Sequence, residues 1–274
     1  MLKEFFANQL FLGCAQAAVA TLVALAVMLL ARLREIHLER ETVVALVRGI
    51  VQITAVGSIL VALLRGPSWT SAFLLAAMLV AAAKMSSGRS QGLPGSFQVS
   101  LCAIAAGAGS VIVLMTWAGV IDTRITSLVP IGSMLIANAM NTNSLVLNRF
   151  RSEVESHVGL IETGLALGAH SGRTVAPYVQ VSVQSSLIPA IDSLRSLGIV
   201  WIPGLMAGML LSGASPIYAA IYQFVTISMI FSSSGLTALI CSLLIRGSVF
   251  SPAEQLVLRP PRVAAPNAQS GARG

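Results

Sequence analysis

The sequence predicts an all-α membrane protein with seven transmembrane helices and a helical cytoplasmic segment. Hydrophobic residues make up 55% of the 274 residues and charged residues only 10%, whereas a soluble domain carries about 25% charged residues. The charges are also clustered, so that long uncharged runs alternate with short basic segments. So few charges cannot cover a soluble surface, and a lipid bilayer is therefore the expected surroundings of these runs.

The uncharged runs define the predicted helices. About 20 apolar residues cross the roughly 30 Å hydrocarbon layer at about 1.5 Å per residue. Turn-forming residues such as Gly66-Pro67 separate neighbouring runs. The stretch between Arg195 and Arg246 is too long for one crossing, and Gly213-Ala214-Ser215-Pro216 divides it. The predicted spans are residues 5–31, 43–64, 69–83, 97–119, 125–148, 197–212 and 217–245.

One further uncharged stretch, residues 174–191, is more polar than the others. It contains Gln180, Gln184 and three serines. Because polar side chains are costly in lipid, we expect this stretch at the cytoplasmic face or at the membrane interface. Residues 1–250 are thus predicted to form the transmembrane domain, with a cytoplasmic segment at about residues 149–195. Residues 251–274 contain four prolines and no apolar period, which predicts a disordered cytoplasmic tail.

The positive charges predict the orientation. A net charge of +7 would suggest a nucleic-acid partner for a soluble protein, but in a membrane protein Lys and Arg concentrate in cytoplasmic loops. We therefore expect no nucleic-acid partner, and a multi-pass protein of the plasma (inner) membrane with its N-terminus outside and its C-terminus in the cytoplasm. The outside regions then hold only Lys3, Arg65 and Arg124. The inside regions hold Arg32, Arg34, Arg40, Arg48, Lys84, Arg89, Arg149, Arg151, Arg173, Arg195, Arg246 and the arginines of the tail.

The predicted cytoplasmic segment contains a motif of small residues around one carboxylate. Glu162-Thr163-Gly164 is followed, after three residues, by Gly168-Ala169. Small side chains favour a thin helix–turn that fits a groove, and the Glu162 carboxylate can pair with basic groups there. Glu162 also reads as a solvated carboxylate near a helix start, and Gly168 as a helix C-cap. The spacing resembles the cytoplasmic loop by which membrane subunits of ABC importers dock on their ATPase.

Three further segments resemble one family of membrane proteins. Residues 129–140 read VPIGSMLIANAM, residues 188–193 read IPAIDS, and residues 197–209 read LGIVWIPGLMAGM, followed by GASP. Together with the Glu162 motif they resemble the FetB-type family of ABC permeases, which includes bacterial iron-export permeases and plant aluminium-resistance permeases. The resemblance covers about residues 42–258.

The resemblance implies the membrane-spanning permease of an ABC transporter that exports iron or a metal complex. A nucleotide-sugar or another polar metabolite is the alternative cargo. Glu162, Gly164, Gly168 and Ala169 would then couple the permease to a cytoplasmic ATPase subunit, which binds the ATP. The sequence contains no Walker A phosphate loop, so we expect no enzyme activity and no cofactor in this chain. Two identical permeases around one pathway suit a machine with two ATPase copies, which predicts a homodimer.

Two other functional classes fit the sequence less well. A self-sufficient channel or proton-driven carrier would use intramembrane carboxylates, and the predicted spans contain none. A membrane enzyme would need a nucleophile beside a base, whereas His37, His157 and His170 are dispersed and His170-Ser171 lacks a nucleophile elbow.

Ser133, Asn138 and Asn141 are the candidate pathway residues of the fifth predicted span. Asn138 and Asn141 are three residues apart and share a helix face. Amides in a bilayer either join helices or line a pathway, and the sequence leaves both roles open. Their neutral oxygens suit a chelated metal or a polar metabolite better than a bare hard cation, which prefers anionic oxygen ligands. No residue is assigned as a metal ligand.

Asp192 and Arg195 are candidates for a local ion pair. They are three residues apart, so they share one helix surface. The alternative roles are a gate of the pathway or a contact with the ATPase.

Overall fold

The computed structural model describes residues 9–34, 39–63, 69–89, 93, 95–250 and 255–258. These residues form helices joined by turns, which confirms the all-α prediction, and the only β-pairing among them is two isolated bridges. The helices are α1 (Gln9–Leu33), α2 (Glu39–Leu63), α3 (Trp69–Arg89), α4 (Ser96–Ile104), α5 (Ser110–Trp117), α6 (Ile125–Ser156), α7 (Val158–Ala166), α8 (Ser171–Ser196), α9 (Gly204–Leu211) and α10 (Pro216–Ser248), with a π-helical turn at Ala105–Gly109 between α4 and α5.

The chain divides into two units, Met1–Pro67 and Ser68–Gly274. The first unit contains α1 and α2, each 25 residues long. Large apolar side chains of both helices are exposed, as expected of surfaces that face lipid. The second unit contains α3 to α10.

Four helical segments of the described chain are long and apolar enough to cross a membrane. They are Thr42–Ile59, Trp69–Arg89, Ser96–Trp117 and Pro216–Ser248, and a shorter apolar stretch runs over Ala15–Leu30. The protein is therefore a multi-pass membrane protein. The first residues of the first predicted span, 5–8, lie outside the described residues.

Helix α6 is the centre of the second unit and packs against α3, α8 and α10. Leu135, Ala139, Leu147 and Phe150 are fully buried along its length. Ile131 and Leu135 share an apolar cluster with Ile227 and Ile230 of α10, and Phe150 shares a second cluster with Ile245. The two helices therefore run parallel to each other.

Helix α8 contains residues 174–191, the polar stretch of the predicted cytoplasmic segment. This stretch belongs to one helix of 26 residues, about 39 Å long. Val175 packs in the cluster of α6 residues Phe150 and Val154, and Leu194, at the other end, packs in the cluster of Ile131. Helix α8 thus lies antiparallel along α6.

The buried serines of α8 are satisfied without partners on other helices. Ser182 and Ser186 are almost completely buried. The Ser182 hydroxyl donates to the Tyr178 carbonyl at 2.6 Å, and the Ser186 hydroxyl donates to the Val183 carbonyl at 2.8 Å. Because each hydroxyl is satisfied within its own helix, burying it costs little.

Residues 197–212 do not form the predicted sixth span. Only Gly204–Leu211 is helical, and eight residues extend about 12 Å, which is too short for a crossing. Gly198 has a left-handed φ of 77° and its N–H donates to the Trp201 carbonyl at 3.0 Å, so the chain turns sharply after α8. The Met206 N–H then donates to Gln223 Oε1 at 3.1 Å, which fixes the start of α9 on α10.

Part of the predicted disordered tail is ordered. The Val257 N–H donates to the Val249 carbonyl at 2.9 Å. Leu256 and Leu258 are buried in the same cluster as Val154 and Ile161. Alternating apolar residues thus hold Gln255–Leu258 against the ends of α6 and α10, while residues 251–254 and 259–274 lie outside the described residues.

Candidate coupling element and pathway

The motif around Glu162 folds as a helix followed by a tight turn, as predicted. Helix α7 ends in a Schellman motif, in which the Gly168 N–H donates to the Leu165 carbonyl at 2.9 Å and the Ala169 N–H donates to the Gly164 carbonyl at 3.0 Å. Gly168 has a φ of 83°, a left-handed conformation that a glycine adopts without steric cost. The small residues at 164, 168 and 169 therefore set the shape of this turn.

Helix α8 starts directly after this turn. The His170 ring Nδ1 accepts a hydrogen bond from the Gly172 N–H at 3.1 Å and caps the helix. A Cβ at Gly164 would lie 3.0 Å from Thr174 Cγ2. Helices α7 and α8 consequently approach each other closely, and residue 164 has to be small.

Helix α7 is anchored on both neighbouring helices, α6 and α8. Ile161 is buried in the apolar cluster that contains Phe150 of α6 and Val175 of α8. The His157 ring, between α6 and α7, stacks on the Tyr178 ring of α8 with centroids 4.7 Å apart. Helix α7 is therefore packed against both α6 and α8.

The surface of α7 on both sides of the buried Ile161 is open and partly apolar. Glu162 is exposed and has no hydrogen bond or ion pair within the part of the chain that the structure describes. Leu160 is 67% exposed and Leu167 is 83% exposed. Neither leucine was predicted from the sequence, although two large apolar residues that flank a carboxylate outside the predicted spans were a usable signal.

The structure separates the candidate pathway residues by their partners. Asn138 Nδ2 donates to the Met134 carbonyl at 2.9 Å, and the Ser133 hydroxyl donates to the Pro130 carbonyl at 2.8 Å. Both residues are half-buried. Asn141 is exposed, and its side chain makes no hydrogen bond to any residue that the structure describes.

A different asparagine joins the helices. Asn143 is fully buried, and its Nδ2 donates to Ser86 Oγ of α3 at 2.8 Å and to Ser100 Oγ of α4 at 2.9 Å. The Ser144 hydroxyl also donates to Ser86 Oγ, at 3.0 Å. Within the described chain, Asn143 makes the interhelical hydrogen bonds and Asn141 makes none.

Asp192 and Arg195 lie at the end of α8 that is remote from α7 and Glu162. Both are exposed, and within the described chain no ion pair joins them. Asp192 lies about 27 Å from Thr174 along the helix axis. The structure does not bring this pair near Glu162.

Acidic, histidine and cysteine side chains do not gather in the described part of the chain. Among these residues no group of three or more lies close enough to hold a metal ion.

The helices and their exposed apolar surfaces identify this chain as a polytopic α-helical membrane protein. The chain belongs to the uncharacterised protein family UPF0014, whose model matches residues 14–250. The FetB-type resemblance is thereby confirmed.

Several relatives match most of their own length. The UPF0014 membrane protein STAR2 of Oryza sativa subsp. japonica is 28% identical over 93% of this chain and 88% of its own. Protein ALUMINUM SENSITIVE 3 of Arabidopsis thaliana is 27% identical over 89% of this chain and 90% of its own. The probable iron export permease protein FetB of Escherichia coli (strain K12) is 27% identical over 88% of this chain and 93% of its own. No solved structure matches the chain.

Proposed function

We propose that this protein is the membrane-spanning permease subunit of an ABC transporter that exports iron or a metal complex. A separate cytoplasmic ATPase subunit binds and hydrolyses ATP, and the permease itself is not an enzyme and carries no cofactor. The observation that carries the proposal is helix α7 with its C-cap residue Leu167: Leu160, Glu162 and Leu167 are exposed, and the helix is fixed to the bundle. Leu160 and Leu167 lie on one side of this helix and Glu162 lies about 200° around it, so the element offers two apolar anchors on one flank and a carboxylate on the other to a groove that encloses it.

The anchoring of α7 supplies a route for coupling. Movement of the ATPase displaces α7, and Ile161 transmits that displacement to α6 and α8 through their shared cluster. The His157–Tyr178 stack provides a second link to α8. Helices that pack tightly shift between discrete arrangements and do not deform gradually, so a small push at α7 switches the orientation of the pathway.

The proposed topology keeps seven spans but replaces the sixth. Helix α8 crosses the membrane instead of residues 197–212, because it lies along α6 for its full length. The cytoplasmic segment then shortens to the neighbourhood of α7, with Arg149, Arg151 and Arg173 around it. The N-terminus remains outside and the C-terminus in the cytoplasm of the plasma membrane, and two copies form a homodimer.

This topology predicts that the two ends of α8 are accessible from opposite sides. In a variant without native cysteines, Ala169→Cys should react with an impermeant thiol reagent only after the cell membrane is opened. Asp192→Cys should react in intact cells, because Asp192 lies near the opposite end of α8 (Ser171–Ser196). Equal labelling of both positions from one side would show that α8 does not cross the membrane.

The cargo follows from the relatives and from the neutral side chains of α6. One relative is named a probable iron export permease, and the plant relatives include a protein named for aluminium sensitivity. Asn138, Asn141 and Ser133 offer neutral oxygens, which favour a chelated metal over a bare ion. The same groups suit a nucleotide-sugar or another polar metabolite, which is the second candidate.

Deletion of the gene tests the proposal directly. Loss of the protein should raise cellular iron, and expression of the wild-type chain should return the iron content to its normal level. Glu162→Lys should not restore it and should no longer copurify with an ATPase, because the reversed charge repels the basic groups of the groove. Glu162→Gln, which keeps the shape without the charge, serves as the intermediate control. Unchanged cellular iron together with an altered nucleotide-sugar pool would show that the cargo is the second candidate and not a metal.

A further inference from the structure

Helix α6 has one stripe that no other described helix of its unit covers. Exposed residues recur every three or four positions along it, at Ala137, Asn141, Leu145 and Asn148. Positions with this spacing share a helix face. Asn138 borders the stripe and is half-buried. The centre of the stripe therefore carries amide side chains.

Helix α8 has a second uncovered polar face. Gln180 and Gln184 are exposed, and they lie on the side opposite the buried Val175, Ser182 and Ser186. Neither glutamine makes a side-chain hydrogen bond to the residues that the structure describes. The buried serines are satisfied by their own helix, but the glutamines are not.

The two polar faces lie at the same depth. Helix α8 runs from Ser171 to Ser196, so Gln184 occupies its middle. Helix α6 runs from Ile125 to Ser156, and Asn141 likewise occupies its middle. Because the helices pack antiparallel along their full length, their midpoints lie side by side.

Lipid is an unfavourable neighbour for this set of residues. An unpartnered amide in the hydrocarbon region costs about 2 kcal/mol or more. Three such side chains, Asn141, Gln180 and Gln184, at or near the middle of two adjacent helices would oppose insertion in that orientation. The surface is therefore wet or covered by polar protein.

We propose that Asn138, Asn141, Gln180 and Gln184, the amide face, form one wall of a water-filled translocation pathway. The same face of a second copy supplies the opposite wall. An amide both donates and accepts hydrogen bonds, so the face is complementary to itself across a two-fold axis. This inference rests on the proposed permease function and extends its pathway to α8.

The chemistry of the wall defines the class of cargo. Residues 133–148 and 174–191 contain no charged residue. A bare hard cation requires about six or more oxygen ligands, usually including carboxylates, and the amide face supplies neutral oxygens but no carboxylate. The wall instead recognises a metal complex through the water, hydroxyl or carboxylate groups of its outer shell.

Thiol labelling tests whether the face is wet. In the full-length protein without native cysteines, reconstituted in liposomes, Gln184→Cys should react with a charged methanethiosulfonate at least 10-fold faster than Leu236→Cys. Leu236 is a matched control because it is 40% exposed and lies near the middle of α10. Equal, slow reaction at both positions would show that the amide face contacts lipid and would overturn the proposal.

Cross-linking tests the second copy. Asn141→Cys should form a dimer with a short bis-maleimide, whereas Leu236→Cys should not. Rapid thiol labelling without an Asn141 dimer would overturn the symmetric wall and leave a pathway within one copy.

Gln184→Leu separates a pathway role from a role in packing. It should lower transport of ferric citrate about 10-fold with an unchanged thermal midpoint, and Gln184→Asn should restore part of the rate. A lipid-facing Gln184 would give the reverse, a raised midpoint with unchanged transport. If an ATPase copurifies but Gln184→Leu transports normally, the proposed amide wall is wrong and the permease assignment stands. If no ATPase copurifies while Gln184→Cys is labelled, the permease assignment is wrong, but the amide face is still exposed to water.

Discussion

Replacing Leu160 and Leu167 together with aspartate is expected to abolish retention of the ATPase. Both side chains are mostly exposed, so the replacements leave the bundle intact. In a docked complex each leucine is buried in the partner's groove, and the loss of one such anchor costs about 2 kcal/mol, or roughly a 30-fold loss of affinity. The double variant should therefore lose the ATPase at any practical protein concentration.

Copurification and transport measure this effect together. The wild-type and variant chains are expressed with the ATPase, solubilised, and compared for bound ATPase and for iron export. Val257→Asp is the matched control, because Val257 is 48% exposed and lies outside α7. Wild-type retention by the double variant would show that α7 is not the docking element.

Gly168→Val is the second change with a large expected effect. Valine at a φ of 83° is strained by about 1–3 kcal/mol, and relief of this strain breaks the Schellman hydrogen bonds to Gly164 and Leu165. Helix α7 then loses its fixed angle to α8. Transport should fall at least 10-fold even though the exposed docking residues are unchanged.

Gly168→Asn provides the matched control, since asparagine tolerates the left-handed conformation far better than valine. It should keep most of the transport activity. Limited proteolysis of the purified proteins should cut the valine variant faster between α7 and α8. Similar transport by the two variants would mean that the backbone conformation of residue 168 does not matter for coupling.

The sequence predicted the features that depend on local pattern. Composition and uncharged runs indicated an all-α membrane protein, and the spacing of Glu162, Gly164 and Gly168 indicated a helix–turn. The structure bears out both, because the left-handed turn that ends α7 favours a glycine wherever the helix packs. The family was predicted from four ordered motifs and is confirmed.

The placement of α8 and of residues 197–212 was not predictable in the same way. Hydropathy ranks a segment by its composition, and residues 197–212 are more apolar than residues 174–191. Whether Ser182 and Ser186 are tolerated in a bundle depends on hydrogen bonds within their own helix. A sharp turn at Gly198 leaves the more apolar segment only eight helical residues.

The sequence by itself determined that several amides lie on one membrane helix, and the tertiary structure decided which of them face the core. Asn141 and Asn143 are two residues apart, about 200° around the helix. Asn143 meets Ser86 and Ser100 of neighbouring helices and is fully buried, whereas Asn141 points away from them and is exposed. Identical side chains thus join helices or face an open surface because the neighbours of α6 cover only part of its circumference.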